Sequence, residues 1–373
     1  MRVVNSSVYN KFSSSVNDVH GKLNKAMNKV SSGAAYESAA ENPLAYYEGK
    51  QIDHIYLDAL SKNSLIGDIK SRLYQQEQGA YNIQQLLAGG KTAVQFLSDT
   101  THNQDIHTVQ TKRDELLQRA QSMVTHLNSQ YGNYFVFGGN DSTTTPFALS
   151  DDGYTLTFTH QFSDGTKETM TMELKYDDKT QSYGYEISDK DMDNILKAMR
   201  EQGRVDIGYG NISNKDTLID TFTGGLNLMT GLTSDALKVM SDDDAKDAIK
   251  KALNESPLGL VSSSVMASNQ YIEGKIDSGA FTKTMGNLLT SMTNAEHTVS
   301  TVYTDLGNKS NILDDTKKRL DSLEDAMKTR YKEILGADPY ESIMEMYSYQ
   351  YSYSAALKVG ANLFQSSLFD FIR

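Results

Sequence analysis

Apolar residues recur at alternating spacings of three and four over both ends of the chain, and at a spacing of two near its middle. From the N-terminus, Tyr9, Phe12, Val16, Val19, Leu23, Ala26 and Val30 form one such series. It is the heptad stripe of a helix that packs along one face. A second series runs Ile52, Ile55, Ala59, Lys62, Ile66, Ile69, Leu73, Gln76, Ala80, Ile83, Leu87, Gly90, Val94, Leu97, and its polar members predict a partly wet seam. A third holds Ile106, Val109, Arg113, Leu116, Ala120, Met123 and Leu127. The C-terminal side answers with Val299, Val302, Leu306, Lys309, Leu313, Thr316, Leu320, Leu323, Met327, Arg330 and Ile334, then Ile343, Tyr347, Gln350, Ser354, Leu357, Ala361, Phe364, Leu368 and Phe371. The second series covers about 45 residues, so at about 1.5 Å per residue an unbroken helix would be roughly 70 Å long. A helix of that length needs a bundle or a lattice around it.

The four prolines fall where these patterns break. Asn42-Pro43 predicts a cap and start for the second helix, and Asp338-Pro339-Tyr340-Glu341 places Asp, Pro and Glu at the N-cap, N1 and N3 of the last one. Pro146 and Pro257 lie outside the seams. Between about Phe147 and Ile187 the period changes: Tyr154, Leu156 and Phe158 alternate, Ser163-Asp164-Gly165-Thr166 supplies turn chemistry, and Met170, Met172, Leu174 and Tyr176 alternate again. That reads as a β-hairpin. Short helices are predicted over Asp191–Gln202 and Asp242–Asn254, separated by the glycine-rich stretch Gly203–Gly210 and by Asp220-Thr221-Phe222-Thr223-Gly224-Gly225. The expected fold is therefore mainly α: long N- and C-terminal coiled-coil helices forming a bundle, with an inserted α+β outer domain containing a β-hairpin.

Composition narrows the function. At 373 residues with 38% hydrophobic content the chain can bury ordinary cores in two or three domains. A net charge of −12 argues against a nucleic-acid backbone or an anionic membrane as the main partner, since both reward basic patches. With no cysteine there is no disulfide, thiolate catalysis or cysteine-ligated metal. The start, Met1-Arg2-Val3-Val4-Asn5-Ser6-Ser7, has no apolar core of a signal peptide, and no stretch of about 18 apolar residues occurs anywhere. Export would have to follow a route that leaves the N-terminus intact.

Candidate chemistry is sparse. The histidines at 20, 54, 102, 107, 126, 160 and 297 show no metal-ligand spacing. Asp242-Asp243-Asp244 suits the first turn of a helix, where the dipole favours negative charge. Gly138-Gly139-Asn140-Asp141-Ser142-Thr143-Thr144 looks like a phosphate loop but lacks the Gly-Lys-Ser/Thr ending. No Gly-x-Ser-x-Gly elbow is present. An enzyme has no residues to stand on here, and no cofactor is expected. The seams fit an internal bundle core as well as an intermolecular one, because heptads specify packing and not the packed partner. The last helix stays apolar nearly to its end, through Leu368-Phe369-Asp370-Phe371-Ile372. Chain ends fray unless tied down, so this one docks, on its own chain or on a neighbour.

Particular residues add a resemblance. Tyr131-Gly132-Asn133-Tyr134-Phe135-Val136-Phe137-Gly138-Gly139-Asn140-Asp141-Ser142-Thr143-Thr144-Thr145-Pro146-Phe147, after a helix with Arg113-Asp114-Glu115-Leu116-Leu117, resembles the helix-to-strand junction of the L-type flagellar hook-associated proteins. These are the hook-associated protein 3 family, the hook-filament junction members of the bacterial flagellin superfamily. Val30-Ser31-Ser32-Gly33 with Glu41-Asn42-Pro43-Leu44-Ala45 is similar to the superfamily's N-terminal turn, although Ala34, Ala35, Ser38 and Glu41 replace its usual basic, Asn and Asp positions. Leu357-Lys358-Val359-Gly360-Ala361 with Ser367 to Ile372 is similar to its terminal helix. The resemblance covers about 1–147 and 290–373.

The resemblance implies a structural subunit of the flagellum, extracellular at the hook-filament junction and exported by the type III apparatus without a cleaved signal peptide. It implies hook-associated protein 1 and flagellin as partners, its own copies in a helical ring, and a cytosolic export chaperone on the C-terminal arm. Neither nucleic acid nor membrane is an expected partner. It implies terminal assembly arms at 1–42 and 338–373, a helical bundle at 43–139 and 290–337, and a variable outer domain at 140–289. Val16, Val19, Leu23, Leu357, Phe364, Leu368 and Phe371, on the terminal seams, are the expected assembly interface. A flagellin-like filament subunit is the alternative, since flagellin shares both arms. The Phe-Gly-Gly-Asn to Thr-Pro-Phe run and the absence of an Asn-His-Asn start favour the junction family. A binding module displayed by passive helices is a further alternative, separable by deleting about 148–280.

Overall fold

A computed structural model describes the backbone of residues 2–177, 181–201, 204–206, 218–220 and 223–369, and the side chains of 7–177, 181–201 and 223–361. The fold is mainly α with an α+β insertion. Three helices come first: α1 (Arg2–Ser32), α2 (Pro43–Leu97) and α3 (Ile106–Leu127). Strands β1 (Gln130–Tyr131) to β6 (Ser182–Ile187), helix α4 (Asp189–Arg200), and strands β7 (Arg204–Asp206) and β8 (Leu218–Asp220) follow. Then come α5 (Gly225–Thr230), α6 (Ser234–Val239), α7 (Asp242–Asn254), α8 (Pro257–Ile272), α9 (Ser278–Leu335) and α10 (Pro339–Phe369). The chain divides into two compact units, one of Met1–Asn63 with Lys318–Arg373 and one of Ser64–Lys317.

In the second unit the heptad positions of α2 form the core. Ile66, Ile69, Leu73, Ala80, Ile83, Leu87, Val94 and Leu97 are buried, as are Val109, Leu116, Ala120, Met123 and Leu127 of α3 and Val299, Leu306 and Leu313 of α9. Helices α2 and α9 run antiparallel, with Lys91 on Glu296 at 3.0 Å and Lys70 on Asp314 at 2.5 Å. Ile106 is an exception to its series and is exposed. The structure adds α8, which periodicity does not predict. Its residues from Pro257 to Val265 are all buried, including Ser262, Ser263 and Ser264. Ser263, Ser264 and Ser268 donate to the carbonyls of Gly259, Leu260 and Ser264 at 2.7–2.8 Å, so their hydroxyls are satisfied within the helix and the side chains pack as small apolar ones.

The expected hairpin is β4 (Thr155–Gln161) and β5 (Lys167–Asp177), within a four-stranded antiparallel sheet of order β3-β4-β5-β6, where β3 is Phe147–Leu149. Its register pairs Leu156 with Met172 and Phe158 with Met170, burying Leu156, Phe158, His160, Met170, Met172 and Leu174 on one face. The turn uses Gly165 at φ +86°, and Asp164 accepts from the Thr166 N–H at 2.9 Å. Helix α7 spans the predicted Asp242–Asn254, and Ser241 caps it while Asp242, Asp243 and Asp244 fill its first turn. Of the Gly203–Gly210 stretch, only 204–206 is described, as β7; Thr221 and Phe222 lie outside the described residues.

The Gly-Gly run is a packing joint. Phe137 is fully buried against Gly79 of α2, where a Cβ would lie 2.5 Å from the ring. At Gly138 a Cβ would meet the Asp141 carbonyl oxygen at 1.8 Å, and Gly139 sits at φ +71°. These demands explain both glycines without a phosphate. Burial pushes the Asp141 carboxyl up, but donors from Thr143, Gln161 and Thr144 outweigh it and hold the group below its usual range. Gln76, a polar member of the α2 seam, donates to the carbonyls of Val136 at 2.5 Å and Thr223 at 3.2 Å, pinning the segment to the helix.

Candidate assembly surface

The first unit is built from α1, α10, the start of α2 and the end of α9. Helix α1 ends at Gly33, which takes φ +68°, and the chain then pairs with the end of α9: Ala35 N–H donates to Leu335 O at 2.7 Å and Ala337 N–H to Gly33 O at 2.9 Å. Gly49 is required opposite Leu335, where a Cβ would come within 2.1 Å of Cδ1. Glu41 pairs with Lys25 at 2.6 Å, which raises the lysine pKa and lowers that of the carboxyl. Asn42 accepts from the Ala45 N–H and Asp338 from those of Tyr340 and Glu341, so both predicted caps form.

Helices α1 and α10 pack antiparallel. Phe12 lies against Gly360, where a Cβ would be 2.4 Å from the ring; His20 meets Tyr353 with ring centroids 5.2 Å apart; Lys29 bonds Glu345 at 3.3 Å. On the α1 side Phe12, Val16, Val19 and Leu23 are half-buried and Ala26 is buried. On α10 the covered face is Ser342, Met346, Tyr349, Tyr353, Ala356 and Gly360. This is not the series Ile343, Tyr347, Gln350, Ser354, Leu357, Ala361, which lies exposed on another face. Leu357 is 49% exposed. Of the expected interface residues, α1 thus directs Val16, Val19 and Leu23 toward α10, while Leu357 points away from α1. Phe364 and Leu368 belong to α10 by backbone, with side chains outside the described set, and Phe371 lies outside the described residues.

Helix α10 is apolar or aromatic around most of its circumference. Tyr340 is 77% exposed and Tyr351 80%, and Ile343, Met344, Tyr347 and Val359 are exposed beside them. A helix of that kind is normally covered on all sides. Val8, Tyr9, Met27, Leu44, Tyr47, Ile55, Leu57 and Leu60 add exposed apolar surface on α1 and the start of α2. The tyrosines of Met346-Tyr347-Ser348-Tyr349-Gln350-Tyr351-Ser352-Tyr353 fall on both faces, a signal hidden from a single heptad trace.

Among the described residues no group of three or more His, Asp or Glu side chains is placed to hold a metal ion, and no helix is long and apolar enough to cross a membrane. His160 is buried, stacked on Phe158 at 5.7 Å and edge-on to Phe162 at 5.0 Å, and burial lowers its pKa. Such an imidazole fills a core. His102 stacks on Phe96 at 4.2 Å, and Asp105 caps α3 by accepting from the N–H groups of His107 and Thr108.

These features define a class: paired terminal helical arms with an apolar surface in need of cover, carrying an inserted antiparallel sheet. The fold is shared with the solved structure of a Vibrio parahaemolyticus protein provisionally named as flagellar hook-associated, with a TM-score of 0.50 and 11% sequence identity over 79% of this chain and 100% of that one. At that identity the likeness is one of fold. No protein-family profile matches the chain, and neither does any curated protein.

Proposed function

We propose that the chain is a structural subunit of the bacterial flagellum, extracellular and placed at the hook-filament junction, which assembles through its terminal helices. The observation that carries this reading is the concentration of exposed large apolar side chains in the unit formed by Met1–Asn63 and Lys318–Arg373. The fold shared with the Vibrio protein and the junction-like run Tyr131 to Phe147 support it. The three-part division into arms, bundle and outer domain, the partners hook-associated protein 1, flagellin and further copies of the chain, and a cytosolic chaperone on α10 before type III export all belong to the same reading.

The energetics favour a multi-neighbour assembly. Covering an exposed Leu, Ile, Met or Val side chain yields at most about 1.5–3 kcal/mol. Association costs roughly 4–15 kcal/mol before any surplus appears. The few such residues on one face of α10 give little net binding to one partner, whereas neighbours on several faces add their contributions while each arm is ordered once. Val16, Val19, Leu23, Leu357, Phe364, Leu368 and Phe371 remain the residues assigned to this packing. The test is a strain lacking the chain: hooks without filaments, with flagellin lost to the medium, support the junction role, and intact filaments overturn it. Deleting about 148–280 separates assembly from display, since an assembly subunit without its outer domain still joins hook to filament.

A further inference from the structure

The chain has fifteen methionines and no cysteine, so its thioethers are its only sulfur groups open to a mild oxidant. Eight of them are buried, and among the described residues three are exposed: Met27 at 50%, Met344 at 54% and Met240 at 38%. Met240 ends α6 in the second unit. The other two belong to the first unit and lie at one level of its paired arms. Met27 stands two residues before Lys29 and Met344 one before Glu345, and that lysine and carboxylate bond from α1 to α10 at 3.3 Å. Near them in sequence, Val30, Ile343 and Tyr347 are exposed too. The two thioethers are thus part of the apolar surface on which the assembly reading rests.

We propose that Met27 and Met344 are oxidation sites that control assembly: hydrogen peroxide converts both to sulfoxides on the free chain and so disables packing of the arms, whereas in the assembled chain they are covered and resist it. The inference rests on the assembly reading and adds to it a chemical control with named residues. In each reaction the sulfur attacks one peroxide oxygen and the O–O bond breaks. The thioether is oxidised to a sulfoxide, and peroxide is reduced to water as a proton passes to the leaving oxygen. A flexible apolar side chain becomes a polar one that needs a hydrogen-bond donor wherever it is covered. The buried methionines are out of reach, so the oxidised free chain stays folded. The change is also reversible, because methionine sulfoxide reductases return the thioether.

Two measurements test this. Purified chain and isolated flagella are treated with hydrogen peroxide in parallel, and sulfoxide at each methionine is followed by mass spectrometry. Met27 and Met344 should oxidise about tenfold more slowly in flagella than in the free chain. Equal rates in the two samples overturn the inference and leave the assembly reading standing; a chain absent from the flagella overturns both. The second measurement imitates the sulfoxide with glutamine. The M27Q/M344Q chain should show the circular dichroism of the unaltered chain and about tenfold lower filament attachment. M27L/M344L keeps both positions apolar and cannot form a sulfoxide, so it should attach as the unaltered chain does, and so should M240Q. Full attachment of the glutamine pair, or an equal loss in the leucine pair, overturns the proposal.

Discussion

Two glycines on α2 should respond to the same substitution with opposite signs. Gly67 is exposed and a Cβ there meets nothing within 4 Å, so Gly67→Ala removes only the backbone cost of glycine in a helix, a gain of about 0.5–1 kcal/mol. Gly79→Ala makes the same gain but drives its Cβ to 2.5 Å and 2.9 Å from Cε2 and Cζ of Phe137. That ring is fully buried and cannot swing out to solvent. Overpacking of this kind costs about 1–3 kcal/mol, so the two variants should differ by about 1–3 kcal/mol with Gly67→Ala the more stable. For a unit of this size the gap is about 2–12 °C in melting temperature. Thermal unfolding followed by circular dichroism at 222 nm reads the order of the two, and hydrogen exchange at 136–139 should accelerate in Gly79→Ala alone. A Gly79→Ala protein as stable as Gly67→Ala would refute the account of the Phe137-Gly138-Gly139 joint.

Other substitutions probe the remaining links. Gln76→Leu removes donors from the buried carbonyls of Val136 and Thr223 and should cost about 1–3 kcal/mol in urea unfolding, with no effect if those carbonyls have other partners. Leu357→Asp should leave the proteolytic resistance of the free chain near wild type while abolishing filament attachment, whereas Leu23→Asp, which also faces α10, should weaken both; equal behaviour of the two would contradict the assignment of faces. Burial holds His160 neutral in the folded state, with its pKa below the ordinary value near 6.5. The unfolded chain therefore binds the extra proton as pH falls below about 6.5, and stability should decline by up to about 1.4 kcal/mol per pH unit until the folded group titrates. His126 shifts the same way, so His160→Phe should remove part of the slope between pH 7 and 5; an unchanged slope would show that His160 is not the group.

The long seam of α2 was legible because its period persists through Lys62 and Gln76, residues that read as flaws until their partners are seen. The hairpin and α7 were legible for a similar reason: strict alternation around Asp164-Gly165, and a serine cap before three aspartates. Helix α8 was hidden because three of its serines, Ser263, Ser264 and Ser268, bond back to their own helix and then pack like alanine, which no hydropathy pattern registers. On α10 the sequence admits several heptad traces, since tyrosine, methionine and aliphatic residues surround it. The face given to α1 carries Gly360, which lets the Phe12 ring approach, beside Tyr349 and Tyr353, and large side chains on the exposed faces keep the heptad trace from singling it out. The exposed apolar surface was thus readable as a property of the terminal helices, while the choice between intrachain and outward faces was not.

The central claim is a place as well as an architecture. Because the chain has no cysteine, Thr169→Cys on the exposed face of the hairpin offers a single thiol for labelling on living cells with a membrane-impermeant maleimide. The account predicts label confined to one short zone at the base of each filament, where it meets the hook. Label along the whole filament would make the chain a filament subunit, and flagella without label would contradict the flagellar reading altogether.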